Sequence, residues 1–348
     1  MDKKLYGEQP KIDKFYITTT LPYVNARPHV GFALEIIQAD VIARFKTLQG
    51  YDVFFNTGTD EHGQKIYQKA IEEGKDPQAY TDEYAKKFDL LKERLNLTYN
   101  NFIRTTDVHH KKAAQELWNI CLKNGYIEKG NYNAKYCVGC ELEKQDSDLI
   151  EGKCPDHPTL ELTLIKEENY FFKFSKLQDR LLKLYKDTPD FVVPSHRQTE
   201  IENFVKSGLQ DFSISRLKKK MPWGVPVPND DKHVMFVWFD ALTNYISALG
   251  WPEDKEKFEG YWGTKDEPKA LQVAGKDNLR QQTSMWQAML IAADLPTTRQ
   301  VFIHGFIIAN GQKMSKTLGN VVDPIEYVDK YGTDALRYFL IREIPFGE

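Results

Sequence analysis

KFYITTTLPYVNARPHVGFALEIIQADVIARFKTLQG, residues 14–50, decides the fold. Its opening is β-branched and aromatic, and residues 14 to 24 read as a buried strand. From Phe32 onward the apolar residues fall at helical spacing, at Phe32, Ile36, Ile37, Val41, Ile42, Phe45 and Leu48, and Gly50 supplies the C-cap that stops such a helix. Between strand and helix lies Pro-His-Val-Gly, residues 28–31. A helix N-terminus gathers unpaired amide donors and the positive end of the dipole, so this turn suits a phosphate. His29 adds a donor, and Gly31, lacking a Cβ, lets a base or phosphate approach the backbone. Taken alone, the tetrapeptide also fits an ordinary helix start.

The pattern repeats downstream. YDVFF, residues 51–55, reads as a second strand ending in NTGTDEHG, residues 56–63, and another helix starts near Gln64. Strand, helix, strand, helix argues for a parallel sheet of the doubly wound α/β class, whose ligands lie beyond the carboxyl ends of the strands. From about Gly125 to about Lys232 the character changes to cysteines, the basic run Lys218 to Lys220 and prolines at 222, 226 and 228, which reads as an inserted domain. HVMFVWFDAL, residues 233–242, is expected to return to the sheet. KALQVAGKDN (269–278), a helix around QQTSMWQAMLIAAD (281–294) and a strand in RQVFIHGFII (299–308) then follow. A last helical stretch, PIEYVDKYGTDALRYFLIRE (324–343), comes after NGQKMSKTLGN (310–320).

The bulk properties of the 348 residues fit two or three domains, with 41% apolar residues and a net charge of -3. No run approaches the ~18 apolar residues of a membrane span, and the N-terminal MDKKLYGEQPKIDK has no apolar signal core, so a cytoplasmic location without membrane partners is expected. The near-balanced charge restricts any RNA contact to a local patch. Cys137-Val-Gly-Cys140 and Cys154-Pro-Asp-His157 are two pairs with the spacing of a tetrahedral zinc site, and four protein ligands describe a closed, structural Zn2+. Cys121, inside AAQELWNICLKN, reads as a buried apolar residue.

KMSKT, residues 313–317, sits in a Gly- and Asn-bounded loop after the last strand. Two lysines flanking Met-Ser can bring ammonium groups onto a polyphosphate, although a solvated loop has the same composition. With HVGF at 29–32 and KMSKT each following a strand of one sheet, the chain resembles the class I aminoacyl-tRNA synthetases and their HIGH and KMSKS signatures. Within that class it is similar to the methionyl-tRNA synthetases, because TTLPYVNARPHVG, NTGTDEHGQKI, VWFDALTNY, AGKDNLR, FIHGFI and NGQKMSKTLGN occur in that family's order.

The resemblance implies a Rossmann-like catalytic region in two halves, 1–124 and 233–322, a zinc-bearing connective insertion at 125–232, and the start of a stem-contact region at 323–348. It implies activation of L-methionine by ATP with Mg2+, then transfer to tRNA(Met). His29, Lys313 and Lys316 are the catalytic candidates. His29, Gly31, Gly275, Asp277, His304, Lys313, Ser315, Lys316 and Thr317 are implied at the ATP site. Leu21, Tyr23, Asp60, Trp238, Ala241, Tyr245, Gln282 and Trp286 are implied at the methionine site, with Asp60 binding the α-ammonium group, Glu61 and His62 supporting it, and Tyr23 reaching the sulfur. Aromatic walls suit a thioether, though aromatic residues at strand ends also serve as core, Asp60 could instead cap a helix, and Asp240 could be structural.

Two positions depart from the family pattern: Phe32 stands at the second signature histidine, and Gln282 at a pocket histidine. Phe32 is expected to remove a donor from the nucleotide site. The insertion is shorter than the editing insertions of the valine, isoleucine and leucine enzymes, and Lys218 to Lys220 could touch an acceptor stem or form a solvated face. The chain stops before the family's anticodon-binding bundle, so methionine activation with poor tRNA charging is expected. A catalytically weak synthetase-like binding protein and another HIGH-type nucleotidyltransferase are the rival readings.

Overall fold

The computed structural model describes residues 12–140, 142–144, 148–236, 238–309, 312–313 and 322–344. β1 (Lys14–Thr19) lies near the middle of a six-stranded parallel sheet with β2 (Asp52–Thr59), β3 (Asn101–Arg104), β4 (Val192–Val193), β5 (Leu271–Gly275) and β6 (Gln300–His304). The spatial order is β3-β2-β1-β5-β6-β4, and every pairing is parallel. Side chains alternate across such a sheet. Tyr16 and Ala274 accordingly enter one apolar core, and Ile17 and Val273 enter the other. This is the doubly covered α/β arrangement expected from the sequence.

α1 (Val30–Leu48) crosses one face, and Gly50 (φ +87°) closes it as expected. Its burial differs from the apolar stripe. Residues up to Ala43 include Ala33, Leu34, Ile36 and Ile37 in the core, whereas Val41, Phe45 and Leu48 are exposed. Helical spacing identifies a face, whereas the exposed apolar residues of this helix all lie in its C-terminal half. α2 (Gln64–Glu72) starts where expected, α3 (Val108–Lys123) packs on the other face of the sheet, and Cys121 in α3 is buried, with burial pushing its thiol pKa up.

Three expectations need correction. The first strand ends at Thr19, and residues 20 to 24 form a turn anchored by an isolated Tyr23–Asp60 bridge. HVMFVWFDAL does not rejoin the parallel sheet: Asp230–Met235 pairs antiparallel with Ser215–Leu217 and Pro226–Val227, and Trp238–Ala241 is a helical turn, α4. The extended propensity of that run is real, but propensity does not select a partner strand. The parallel sheet instead takes Val192–Val193, inside the expected insertion, against β6. The last helical stretch is two helices, Pro324–Tyr331 and Thr333–Glu343, broken at Gly332 (φ +86°). The second packs on α1 through Arg337, whose guanidinium lies 2.6 Å from the buried Asp40 carboxylate. Among the described residues, no helix is long and apolar enough to cross a membrane.

Candidate active site

Glu35 ties together the strand ends. It projects from the second turn of α1, is 4% exposed, and accepts from Thr20 N at 2.7 Å and Thr20 Oγ1 at 2.6 Å through Oε1. Its Oε2 accepts from Gly275 N at 3.0 Å and faces His304 Nε2 at 3.4 Å. One carboxylate thus joins the carboxyl ends of β1, β5 and β6. Gly275 and His304 are direct partners across β5 and β6. A Cβ at Gly275 would lie 2.8 Å from Asp277 Oδ1 and 3.3 Å from His304 Cε1, so a side chain here would crowd both groups. Both His304 nitrogens face acceptors, since Nδ1 is 2.8 Å from Gly305 O. Burial disfavours charge on the ring, but the Glu35 carboxylate outweighs it and holds the His304 pKa above its ordinary value. The sequence reading missed Glu35; its signal was an acid inside the apolar run FALEII.

His29 is the N-cap of α1, and its Nδ1 accepts from Gly31 N at 3.1 Å and Phe32 N at 3.4 Å. Val30 N donates to Val322 O at 2.9 Å and Ala33 N to His29 O at 3.1 Å. The first amides of the helix are therefore satisfied within the protein, and the expected bare cradle of backbone donors is not what this turn offers. With Nδ1 accepting, the proton of a neutral imidazole resides on Nε2. A Cβ at Gly31 would stand 3.0 Å from Cε1 and Nδ1 of His29, so glycine at that spacing makes room for the ring that caps the helix. The Phe32 ring is 8% exposed and packs edge-to-face on Phe88 at 5.7 Å, so this side chain belongs to the core.

The second signature begins on a short hairpin in which Gln312–Lys313 pairs antiparallel with Ile308–Ala309. Ser315, Lys316 and Thr317 lie outside the described residues. Val322, shortly beyond them, accepts from Val30 N in the first turn of α1, next to His29.

The residues implied at the amino-acid site lie on the turns after β1 and β2, on and just beyond α4, and around a π-helical turn. The turn after β1, carrying Leu21 and Tyr23, is stitched to Asp60 by Asp60 N to Pro22 O at 3.0 Å and Val24 N to Asp60 O at 3.2 Å. Asp60 does not cap α2, whose N-cap is Gly63 (φ +117°). Glu61, fully buried, is gripped by Arg104 at 2.7 and 2.9 Å and by the hydroxyls of Thr59 and Thr106. Trp238 and Ala241 lie on α4, with Tyr245 just beyond and its ring 5.7 Å from Trp286. Gln282, in a π-helical turn Gln281–Met285, is 2% exposed and accepts from Gln272 Nε2 at 3.3 Å. Burial pushes the Tyr245 phenol pKa up, against hydrogen bonds from Gln282 and Asn244. Single-turn π-helices recur at functional sites. Trp238 Nε1, Trp286 Nε1 and Gln281 Oε1 are buried without a hydrogen-bond partner among the described residues.

The four candidate metal ligands do converge, with their ligand atoms all within 4.8 Å of one another. Cys140 Sγ stands 3.5 Å from Cys154 Sγ and 3.2 Å from His157 Nδ1, far beyond a disulfide bond and close to the edge lengths of a tetrahedron around one ion. A Cβ at Gly139 would fall 2.4 Å from His157 Cγ, which explains glycine inside this pair. Soft thiolates with one imidazole in that geometry are compatible with zinc. Lys65 Nζ donates to Gly139 O at 2.8 Å and so fastens the knuckle to α2. Lys220 from the basic run pairs with Glu167 at 2.8 Å inside the insertion.

A family model described as tRNA synthetases class I (M) matches residues 15–161 and 159–348. Methionine–tRNA ligases of Caldanaerobacter subterraneus and Thermotoga maritima are 47% and 48% identical over 96% of this chain, which covers 51% and 53% of their lengths. The Brucella suis protein of the same name is 45% identical and 64% covered, so the chain spans about half to two thirds of these curated relatives. The solved structure of Mycobacterium tuberculosis methionyl-tRNA synthetase in complex with methionyl-adenylate superposes with a TM-score of 0.90 at 42% identity, over 97% of this chain and 65% of that one. The free form of that protein gives 0.80 at 38% identity, over 97% and 63%.

Proposed function

The chain belongs to the class I tRNA synthetases (M), and on that premise we propose that it activates L-methionine with ATP to methionyl-adenylate and pyrophosphate, then passes the methionyl group to the 3′ end of tRNA(Met). The observation that carries this reading is the bond from Val30 N, next to His29, to Val322 O, beside the strand ends that hold Gly275 and His304.

In activation, a carboxylate oxygen of methionine attacks the α-phosphorus in line, and the bond to the bridging oxygen breaks to release pyrophosphate. No protein nucleophile is required, so the side chains act by placement and charge stabilisation. Asp60 takes the α-ammonium group. Trp238, Ala241, Tyr245, Gln282 and Trp286, with Leu21 and Tyr23 opposite, enclose the thioether side chain. Pocket shape alone discriminates one methylene by only ~1–3 kcal/mol; the hydroxyl of Tyr23 adds a polar contact to sulfur. His29, through Nε2–H, together with Lys313 and Lys316, meets the negative charge on the phosphates, while Gly31, Gly275, Asp277, His304, Ser315 and Thr317 shape the nucleotide site. Mg2+ arriving with ATP supplies further charge neutralisation. In the transfer step a ribose hydroxyl at the tRNA end attacks the activated carbonyl and AMP leaves.

Cys137, Cys140, Cys154 and His157 hold a structural Zn2+ that orders the insertion. The experiment is ATP–pyrophosphate exchange with each of the twenty amino acids. Exchange that depends on methionine is the expected result, and exchange driven by a different amino acid, or by none, sinks the reading.

A further inference from the structure

A carboxylate buried between two imidazoles lies beside the proposed methionine pocket, outside every role described above. Asp240 is 1% exposed. Its Oδ2 is 2.7 Å from His62 Nδ1 and its Oδ1 is 2.8 Å from His110 Nε2. His110, itself fully buried on α3, continues to Ser247 Oγ at 2.9 Å. The three partners come from distant segments: His62 from the turn after β2, His110 from α3, and Asp240 from α4.

What each partner carries gives the cluster its meaning. His62 lies two positions after Asp60, in the same turn, and its ring sits 5.5 Å from Trp223, whose Nε1 donates to Glu61 O at 2.6 Å. Asp240 lies between Trp238 and Ala241 on α4. A helix of one turn cannot hold its own position and depends on tertiary anchors. Burying an ion is a costly way to obtain stability alone, because an apolar replacement often serves as well; what a buried ion can fix is geometry. Burial raises the Asp240 pKa, but the two histidines outweigh it and hold this carboxyl well below the usual range, so the group is an anion with two directed donors.

From this arrangement we infer that Asp240 is a positioning residue for the amino acid, setting the span between the ammonium site at Asp60 and the side-chain wall at Trp238 and Ala241. The inference rests on the proposed methionine activation. A tether between two halves of one pocket acts on the affinity of the ligand that bridges them. ATP, bound at the strand ends, is indifferent to it.

The test is exchange kinetics on the whole chain with Asp240→Asn, His62→Leu and His62→Asn. Asp240→Asn turns an acceptor into a donor facing an imidazole N–H, and His62→Leu deletes the contact. Both raise KM for methionine by about tenfold or more while KM for ATP and kcat stay within about threefold. His62→Asn, whose amide can replace Nδ1–H as donor, regains most of the affinity lost in His62→Leu. The pair Asp240→Asn with His62→Leu is no worse than either change alone. Unchanged methionine KM in both His62→Leu and Asp240→Asn, or loss confined to kcat and unfolding temperature, overturns the inference while leaving methionine activation intact. A wild-type chain without methionine-dependent exchange takes the inference down together with that reading.

Discussion

The backbone N–H of Val30 donates to the carbonyl oxygen of Val322 at 2.9 Å. Val30 directly follows His29, and Val322 lies nine residues after Lys313 in the sequence. Residues far apart in the sequence thereby meet at the start of α1, at the end of the parallel sheet where ligands of this fold class lie. The same bond uses an amide that would otherwise be free at the helix start, at the cost of a backbone anion contact.

Charge on the phosphates must then be met by side chains. Lys313→Ala and Lys316→Ala are each expected to lower kcat for methionine-dependent pyrophosphate exchange by about 10²–10³-fold. KM for methionine should change little, because the ammonium groups act where pyrophosphate departs. Equal loss in the binding of ATP alone, with kcat preserved, would move the lysines from the transition state to the ground state.

His29 combines two functions on one ring, and two substitutions separate them. His29→Ala removes both the cap and Nε2–H; it is expected to destabilise the fold by about 0.5–2 kcal/mol and to abolish most exchange activity. His29→Asn restores a favoured capping side chain without the distal donor. Its unfolding temperature should return close to wild type while exchange remains low. Recovery of exchange along with stability would reduce His29 to a cap.

Gly139 faces the ring of His157 so closely that a methyl group cannot fit. Gly139→Ala is therefore expected to bind less than one zinc per chain, measured by elemental analysis after gel filtration, and to unfold at a lower temperature, because binding energy at a structural metal site is also folding energy. A variant with a full zinc complement and unchanged unfolding would show that the knuckle relaxes more easily than its packing implies.

Local patterns were legible in the sequence. The strand and helix periods of residues 14–50 gave β1, α1 and Gly50, and two Cys/His pairs gave a cluster that converges as anticipated. Relationships that depend on distant partners were not legible. Glu35 is an acid in an apolar helix until Gly275 and His304 are brought to it, and Asp240 is one more strand-end aspartate until His62 and His110 close around it. HVMFVWFDAL has the composition of a strand, yet composition does not reveal which sheet accepts it.

His304 adds a pH dependence whose sign follows from its partners. Its pKa is raised in the folded protein, despite burial, by Glu35 and by the Gly305 carbonyl. A group of this kind stabilises the fold fully below its unfolded pKa, about 6.5, and the contribution disappears as pH rises through the higher folded value. Stability of the ligand-free chain should therefore decline from this source as pH is taken upward from about 6.5. His304→Gln, which keeps hydrogen-bonding capacity but cannot titrate, should be less stable than wild type at acidic pH, with the gap narrowing on the alkaline side. Thermal unfolding of both proteins across this range measures the gap. A difference that is constant with pH, or that widens as pH rises, would mean that Glu35 does not hold a proton on His304 in the folded state.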